Sequence, residues 1–362
     1  MKQYPLHRDH ALDFFRACLL VYVVCLIHPV YWLKTGGEPF KSLILFEMPL
    51  IFFVAGAAAG VAGYSGRPFL GVLKSRVWRI VMPFAVFVML SLMMAALVSP
   101  RYGLRFPAVS LRGYVMALVL GNGIPGVPYS GHLWFVPVYL IVSLSTPLQM
   151  WVVGLFNSKR VVYLLFCFFM YGGAYIVQIG GILQYDLSQM ISSVFLYNIF
   201  YVSGLLFYKK VKLRTLIALA VVALLLLAIL YGGDLSGMQD HKFSQDPLFL
   251  SFGMAVLLLF SCLFSFVKIG GDPGRLFRLG LGRWHKYGYT IYLWQNWCFF
   301  LLSPLVAFAL GLQPGSAWSL CWLVPLFYIV SWLASLMIVP VENVATKSLK
   351  VISARLRQLV RS

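Results

Sequence analysis

Long apolar segments separated by short polar segments make up most of this 362-residue chain. An α-helix rises about 1.5 Å per residue, so about 20 apolar residues cross the hydrocarbon core of a bilayer. The pattern therefore predicts an all-α polytopic membrane helical bundle of about ten transmembrane helices. The predicted spans are 11–33, 42–63, 77–98, 133–154, 161–181, 190–208, 214–232, 247–267, 287–310 and 317–340. A shorter apolar run, 113–121, is too short to span and is predicted to be re-entrant or interfacial.

Composition supports a membrane protein and argues against a nucleic-acid-binding one. Hydrophobic residues make up 61% of the chain and charged residues 11%, whereas a soluble domain has about 25% charged residues. The net charge of +19 comes from basic residues in the short segments between the apolar runs. No segment combines a basic face with enough soluble sequence to form a nucleic-acid-binding domain, and we expect no nucleic acid among the partners.

The distribution of basic residues predicts the orientation of the spans. Numbered from a cytoplasmic N-terminus, the outer segments contain only Lys34, Lys41, Arg101, Arg105, Arg112 and Lys242. Nearly all the other basic residues fall on the inner side, as the positive-inside rule requires. The pattern predicts that both termini are cytoplasmic. The first apolar run is too long for a cleavable signal peptide and is expected to remain as an anchor.

We predict a single integral membrane domain over residues 1–345 and a basic cytoplasmic tail over 346–362. The tail is either a solvated segment that only fixes the topology or an amphipathic helix on the cytoplasmic leaflet. The cysteines all lie in apolar runs and lack the spacing of zinc ligands, so no metal is expected.

The first span contains three ionisable residues, Asp13, Arg16 and His28. Ionisable groups at bilayer depth are costly and are usually kept because they pair or carry out chemistry. Asp13 and Arg16 lie three residues apart and could pair on one helix face near the cytoplasmic end. His28 is expected about 18 Å further along the helix, in the outer half of the membrane. A histidine can accept and return a proton near neutral pH, although a structural bond to a backbone carbonyl is also compatible with this position.

Other polar residues recur near the ends of the later spans. A basic set at the start of the third span is suited to binding phosphates, or it simply follows the positive-inside rule. A tryptophan at the interface is often only a belt residue. The candidates are Glu47 in the second span, Arg76 and Arg79 with Lys74 before the third, His132 and Trp134 at the fourth, and Tyr292 and Gln295 in the ninth.

Five short motifs occur in an order that resembles the membrane acyltransferase family 3, the bacterial O-acyltransferases that modify cell-surface glycans. LDFFR followed by an intramembrane histidine resembles the start of the family, and MPLIFFVAG resembles its second-span motif. RVWRIVMPF, HLWFVPVYL and YTIYLWQ resemble the motifs of the third, fourth and ninth spans. The matching pieces extend from residue 12 to about residue 295, which is most of the chain.

The chain departs from the family pattern at two positions. Eleven residues, Ala17 to Ile27, separate Arg16 from His28, where the family usually has ten. Twelve steps along a regular α-helix turn the second residue about 120° away from the first. A single π-bulge would restore the alignment. The second departure is Gln295, where the family often has histidine, and it weakens a role for the ninth span in proton transfer.

The resemblance implies transfer of an acyl group, most often acetyl, from cytosolic acyl-coenzyme A (acyl-CoA) to a sugar hydroxyl across the bacterial inner membrane. His28 would be the general base, and Glu47 would orient or charge it. The donor would be bound by Asp13, Arg16, Arg76 and Arg79. The acceptor glycan would be bound by His132, Trp134, Tyr292 and Gln295.

The main alternative is a transporter or flippase of a glycan or small solute. Transporters often contain inverted repeats and paired broken helices. The chain has no such internal repeat, and its polar residues concentrate in the first three spans. A scaffold role explains neither the buried histidine nor the basic cluster. The acyltransferase is therefore the prediction, and the acceptor, the acyl group and the oligomeric state stay open.

Overall fold

The computed structural model consists of helices packed into one bundle. The described residues are 9–34, 37–62, 69–102, 111–121, 123–155, 159–179, 185–232, 234–244, 246–266, 280–310 and 317–359.

The helices follow the apolar runs closely. The bounds of the α-helices are α1 His10–Tyr22, α2 His28–Trp32, α3 Phe40–Leu43, α4 Glu47–Val61, α5 Phe69–Arg76, α6 Met82–Tyr102, α7 Leu111–Leu120, α8 Phe135–Leu144, α9 Thr146–Gly154, α10 Lys159–Ile179, α11 Tyr185–Phe207, α12 Leu213–Tyr231, α13 Met238–Ser244, α14 Pro247–Phe266, α15 Gly282–Leu310 and α16 Ala317–Leu359. Two π-helices, Val23–Ile27 and Val77–Val81, and a 3₁₀-helix, Ser130–Trp134, connect some of them.

The described part of the chain contains 8 helical segments long and apolar enough to cross a membrane. They match eight predicted spans: His10–Trp32, Phe40–Val61, Phe69–Val98, Ser130–Gly154, Val161–Gln178, Asp186–Phe207, Pro247–Ser265 and Cys321–Ser348. Helices α12 and α15 occupy the predicted spans 214–232 and 287–310, and the short helix α7 occupies 113–121. The all-α membrane bundle is confirmed, whereas the count of ten and the cytoplasmic termini stay predictions.

Asp9 caps the first span at its N-terminus. Its Oδ1 accepts hydrogen bonds from the backbone N–H groups of Ala11 and Leu12, at 3.1 and 3.2 Å. Its Oδ2 accepts from Lys209 Nζ at 2.7 Å and from the Tyr208 hydroxyl at 3.1 Å. Burial raises the pKa of Asp9, but these bonds and the charge of Lys209 outweigh it and hold the pKa below its usual value. The start of the first span is thereby tied to the end of α11.

Helices α4 and α11 pack closely because glycines face each other's backbones. A Cβ at Gly56 would overlap the carbonyl oxygen of Tyr201, and a Cβ at Gly204 would overlap that of Phe53. Small residues allow such close approach between membrane helices. This contact fixes α4, whose first residue is Glu47, against α11.

Each of these two π-helices ends immediately before an X-Pro pair. Val23–Ile27 is followed by His28 and Pro29, and Val77–Val81 by Met82 and Pro83. Proline has no backbone N–H, and its ring collides with the carbonyl four residues earlier. Widening the preceding turn to an i→i−5 pattern relieves that collision, and the His28 N–H bonds the Val23 carbonyl oxygen in this way. Pro29 and Pro83 therefore account for the extra residue in the helical turn that precedes each of them.

The C-terminal helix passes through the predicted boundary at residue 345 without a break, since α16 continues to Leu359. The separate tail domain thus remains a proposal. The helix has Pro325 and Pro340 in its interior. In the second half of this helix, Glu342 Oε2 accepts a hydrogen bond from the Thr290 hydroxyl of α15 at 2.7 Å.

Candidate active site

His28 begins α2 immediately after the π-helix and is bonded to Gln295 of α15. The distance from His28 Nδ1 to Gln295 Oε1 is 2.6 Å. An amide oxygen only accepts hydrogen bonds, so in this orientation of the amide Nδ1 carries the proton and the lone pair lies on Nε2. In this arrangement Nε2 is the nitrogen that can act as a base.

The π-helix also determines how Arg16 and His28 are oriented relative to each other on the first span. Because it adds one residue to a turn, it removes about 100° from the 120° offset expected between Arg16 and His28 in a regular helix. The two residues therefore lie on nearly the same side of the first span, with Arg16 towards its start and His28 towards its end. Arg16 is exposed and His28 is half-buried.

Aromatic rings surround the His28 imidazole. Trp32, one turn further on, stacks on it with ring centroids 5.0 Å apart and an interplanar angle of 17°. The rings of His132 and Tyr292 lie at 5.6 and 6.0 Å. These contacts restrict the orientation of the His28 ring.

His132 brings a second imidazole to the site. Its Nδ1 donates to the Tyr129 carbonyl oxygen at 2.9 Å, and its buried Nε2 has no hydrogen-bond partner among the described residues. The Tyr292 hydroxyl donates to the His132 carbonyl oxygen at 2.6 Å. Tyr129 has a φ of 51°, a left-handed conformation that is uncommon for a residue other than glycine. Both histidines therefore have Nδ1 engaged in a hydrogen bond.

Glu47 is paired with a lysine from a distant segment. Its Oε1 accepts from Lys242 Nζ at 2.7 Å, and the side chains of Lys242 and Glu47 are 6% and 1% exposed. Lys242 lies over the Trp134 ring at 5.4 Å. The hydrogen bond to His28 Nδ1 comes from Gln295, and Lys242 engages Glu47 through Oε1. A role of Glu47 in orienting or charging His28 stays a prediction.

Helix α15 supplies a row of polar contacts along the bundle. The Tyr289 hydroxyl donates to the Ile80 carbonyl oxygen of the third span at 3.2 Å, and Asn296 Nδ2 donates to the Pro128 carbonyl oxygen at 2.9 Å. Between them lie Tyr292 and Gln295, which contact His132 and His28. Polar groups on α15 thus run from the third span to the histidines.

The residues predicted to bind the donor lie towards the other end of the bundle. Asp13 Oδ1 is 3.6 Å from His285 Nδ1 at the start of α15. Arg79 lies in the second π-helix, beside the Ile80 carbonyl that accepts from α15. Arg16 and Arg79 are exposed, and Arg76 is half-buried. The first and third spans therefore both meet the first turns of α15 at the level of these basic residues.

The structure adds residues that the sequence analysis did not select. Trp32, Tyr129 and Asn296 occur in segments with no charge or spacing that would distinguish them, and Lys242 is one of several outer lysines. The pairing of Lys242 with Glu47, 195 residues apart in sequence, has no local signal. Within the described residues, no group of three or more His, Cys, Asp or Glu side chains is arranged to hold a metal ion.

Comparison with known proteins bears on what this site does. The family model of the acyltransferase 3 family, described as an acyltransferase domain, matches residues 9–341. The chain belongs to the acyltransferase 3 family. Neither the curated proteins nor the solved structures gave a match. Membership in the acyltransferase 3 family supports a membrane acyltransferase, and the match includes all ten candidate site residues.

Changing Gln295 should test its control over His28. Gln295→Leu is expected to lower kcat of acyl transfer by up to about 100-fold, since small displacements of a catalytic group can have effects of this size. Gln295→Glu keeps an oxygen that accepts from Nδ1 and should stay within about tenfold of the wild type. The comparison is made by steady-state kinetics on purified protein in lipid. A Gln295→Leu protein with wild-type kcat would contradict this assignment.

Proposed function

We propose that the protein is an O-acyltransferase that moves an acyl group, acetyl in the simplest case, from cytosolic acyl-CoA to a hydroxyl of an extracytoplasmic glycan. O-antigen, capsule and periplasmic glucan are candidate acceptors. The observation that carries the proposal is His28, whose Nδ1 is fixed by Gln295 so that Nε2 is the basic nitrogen. The bacterial inner membrane and cytoplasmic termini belong to the same proposal, on the distribution of basic residues.

The chemistry needs one proton acceptor beside the acceptor hydroxyl. His28 Nε2 removes the hydroxyl proton while the hydroxyl oxygen attacks the carbonyl carbon of the thioester. The new ester bond forms, the carbon–sulfur bond breaks, and the CoA sulfur leaves as a thiolate. The proton then passes from His28 to the thiolate, which regenerates the neutral imidazole. Such proton transfer typically contributes 10²–10⁴-fold to the rate.

The two ends of the bundle suit the two substrates. The phosphates of CoA are anionic, and Arg16, Arg76 and Arg79 could bind them through charge-assisted hydrogen bonds at the cytoplasmic end. The thin pantetheine arm could then follow the polar row of α15 towards His28. Asp13, paired with His285, would order the donor end of this route. At the other end, His132, Trp134, Tyr292 and Gln295 would surround the acceptor.

The direct test is acyl transfer by purified protein in lipid nanodiscs. Acetyl-CoA labelled in the acetyl group is supplied with and without a mixture of bacterial surface glycans. We expect label to appear as an ester on the glycan and free CoA to form in equal amount. Absence of both CoA binding and transfer, together with solute flux in proteoliposomes, would contradict the proposal and favour the transporter.

A further inference from the structure

The Lys242–Glu47 pair occupies an unusual place for two charges. Both side chains are almost completely buried, at the end of the bundle where the first span ends and the second begins. Glu47 is held by the close packing of α4 on α11, whereas Lys242 comes from α13 in the segment between two spans. Buried ion pairs are weak sources of stability, because desolvation offsets their attraction. A role in binding therefore explains the pair better than a role in folding.

The pair leaves polar atoms without partners. Glu47 Oε2 and the Tyr197 hydroxyl are both buried and have no hydrogen-bond partner among the described residues. Unsatisfied buried polar atoms are rare in native structures and need a specific explanation. Trp134 links the two groups, since its ring contacts both Lys242, the partner of Glu47, and Tyr197. A ligand hydroxyl could donate to Glu47 Oε2 and complete this arrangement.

An aromatic surface lies beside these atoms. Lys242 Nζ is 5.4 Å from the Trp134 ring, and the Trp134 and Tyr197 rings are 5.7 Å apart. Trp134 follows His132 by two residues in the same 3₁₀-helix. Trp134 and the 3₁₀-helix that carries His132 therefore connect the Glu47–Lys242 pair to the two histidines, whose rings lie 5.6 Å apart.

We infer that Glu47 binds a second hydroxyl of the acceptor sugar through Oε2, and that Lys242 is the positioning residue that holds the carboxylate in place through Oε1. This inference rests on the proposed acyltransferase function and adds its acceptor class. Glu47 and Lys242 are bonded to each other and their charges offset, so this pair offers no net positive charge to an anionic acceptor. The acceptor unit is therefore an uncharged sugar with a hydroxyl adjacent to the one that is acylated.

Hydrogen bonds hold α13, the helix that carries Lys242, in place. The backbone N–H of Met238 donates to Ser42 Oγ at 3.0 Å, and the Ser42 hydroxyl donates to Glu38 Oε2 at 2.6 Å. These bonds and the Lys242–Glu47 pair hold α13 against the ends of the first two spans.

The test compares the Michaelis constants of the two substrates. Lys242→Met should raise KM for a glycan acceptor at least tenfold, while KM for acetyl-CoA changes less than twofold. Lys242→Arg keeps a cation that can bond Glu47 and should recover most of the acceptor affinity. Lys34→Met removes an exposed outer lysine and is the matched control for loss of one positive charge on this face.

A double variant separates positioning from folding. In Glu47→Gln/Lys242→Met both charges are removed together, so no charge is left buried alone. Its KM for the acceptor should be no higher than the larger of the two values measured for the single variants Glu47→Gln and Lys242→Met, because the two residues act as one unit. Equal increases in both Michaelis constants, or fully additive effects, would mean that the pair only supports the fold and would overturn the inference.

A separate experiment tests whether the acceptor is an uncharged sugar. Methyl hexosides with adjacent hydroxyls should be acylated in preference to the matching methyl hexuronosides. Faster transfer to the uronosides would overturn the uncharged class. A wild-type protein that transfers no acyl group to any acceptor would instead refute the proposed function. A wild-type protein that transfers normally, with an unchanged acceptor KM in Lys242→Met, would refute only the inference about Lys242 and Glu47.

Discussion

Replacing His28 by alanine should lower acyl transfer by about 10²–10⁴-fold, the usual contribution of a positioned proton acceptor. The variant should still insert and fold, because the imidazole is half-buried at the end of the first span and its contacts are one hydrogen bond, to Gln295, and neighbouring aromatic rings such as Trp32. Transfer of labelled acetyl to glycan, normalised to folded protein by size-exclusion chromatography, gives the measurement.

A second substitution separates proton transfer from packing. His28→Asn retains an N–H group that can donate to Gln295 but has no nitrogen that accepts a proton, so its loss should match that of His28→Ala. His10→Ala removes an exposed histidine at the start of the same span and should leave transfer unchanged. Wild-type rates in either His28 variant would refute the role of the imidazole as base.

Changing the number of residues between Arg16 and His28 should have an effect of similar size. One alanine inserted after Val21 turns His28 by about 100° relative to the start of the span and moves it away from Gln295. Transfer should then fall about as far as in His28→Ala. The measurement is the same transfer assay, with folding checked by thermal melting in detergent.

Deleting Val24 provides the matched comparison. The π-turn can then close to a regular α-turn, and eleven steps return to nearly the same azimuth. His28 keeps its orientation and shifts by only about 1.5 Å along the axis, so at least about a tenth of the activity should remain. If the deletion abolishes transfer in a folded protein, or if the insertion is harmless, the π-helix does not serve to align His28.

The sequence was sufficient to predict most of the helices. Apolar runs such as 247–267 correspond closely to observed helices such as Pro247–Phe266, because burial of apolar side chains in lipid dominates their structure. The π-helices depend on finer geometry. The sequence analysis identified where one would be needed, but not that Pro29 and Pro83 supply the physical cause.

The candidate site was predictable only in part. His28 was identifiable because an ionisable residue in an apolar run is uncommon. The bond from His28 to Gln295 and the pairing of Glu47 with Lys242 join residues more than 190 positions apart, and such contacts follow from the packing of spans rather than from local sequence. Gln295 illustrates the difference: it lacks the acid–base chemistry of histidine, yet its amide oxygen fixes the imidazole.

The most direct test of the account is the sidedness of transfer. Inverted membrane vesicles containing the protein expose the cytoplasmic face, and labelled acetyl-CoA, which does not cross the bilayer, is added outside. We expect label on a glycan trapped in the vesicle lumen, dependent on His28, and none on the same glycan added outside. Label on the outer glycan, or luminal label that persists in His28→Ala vesicles, would contradict transfer across the membrane through this site.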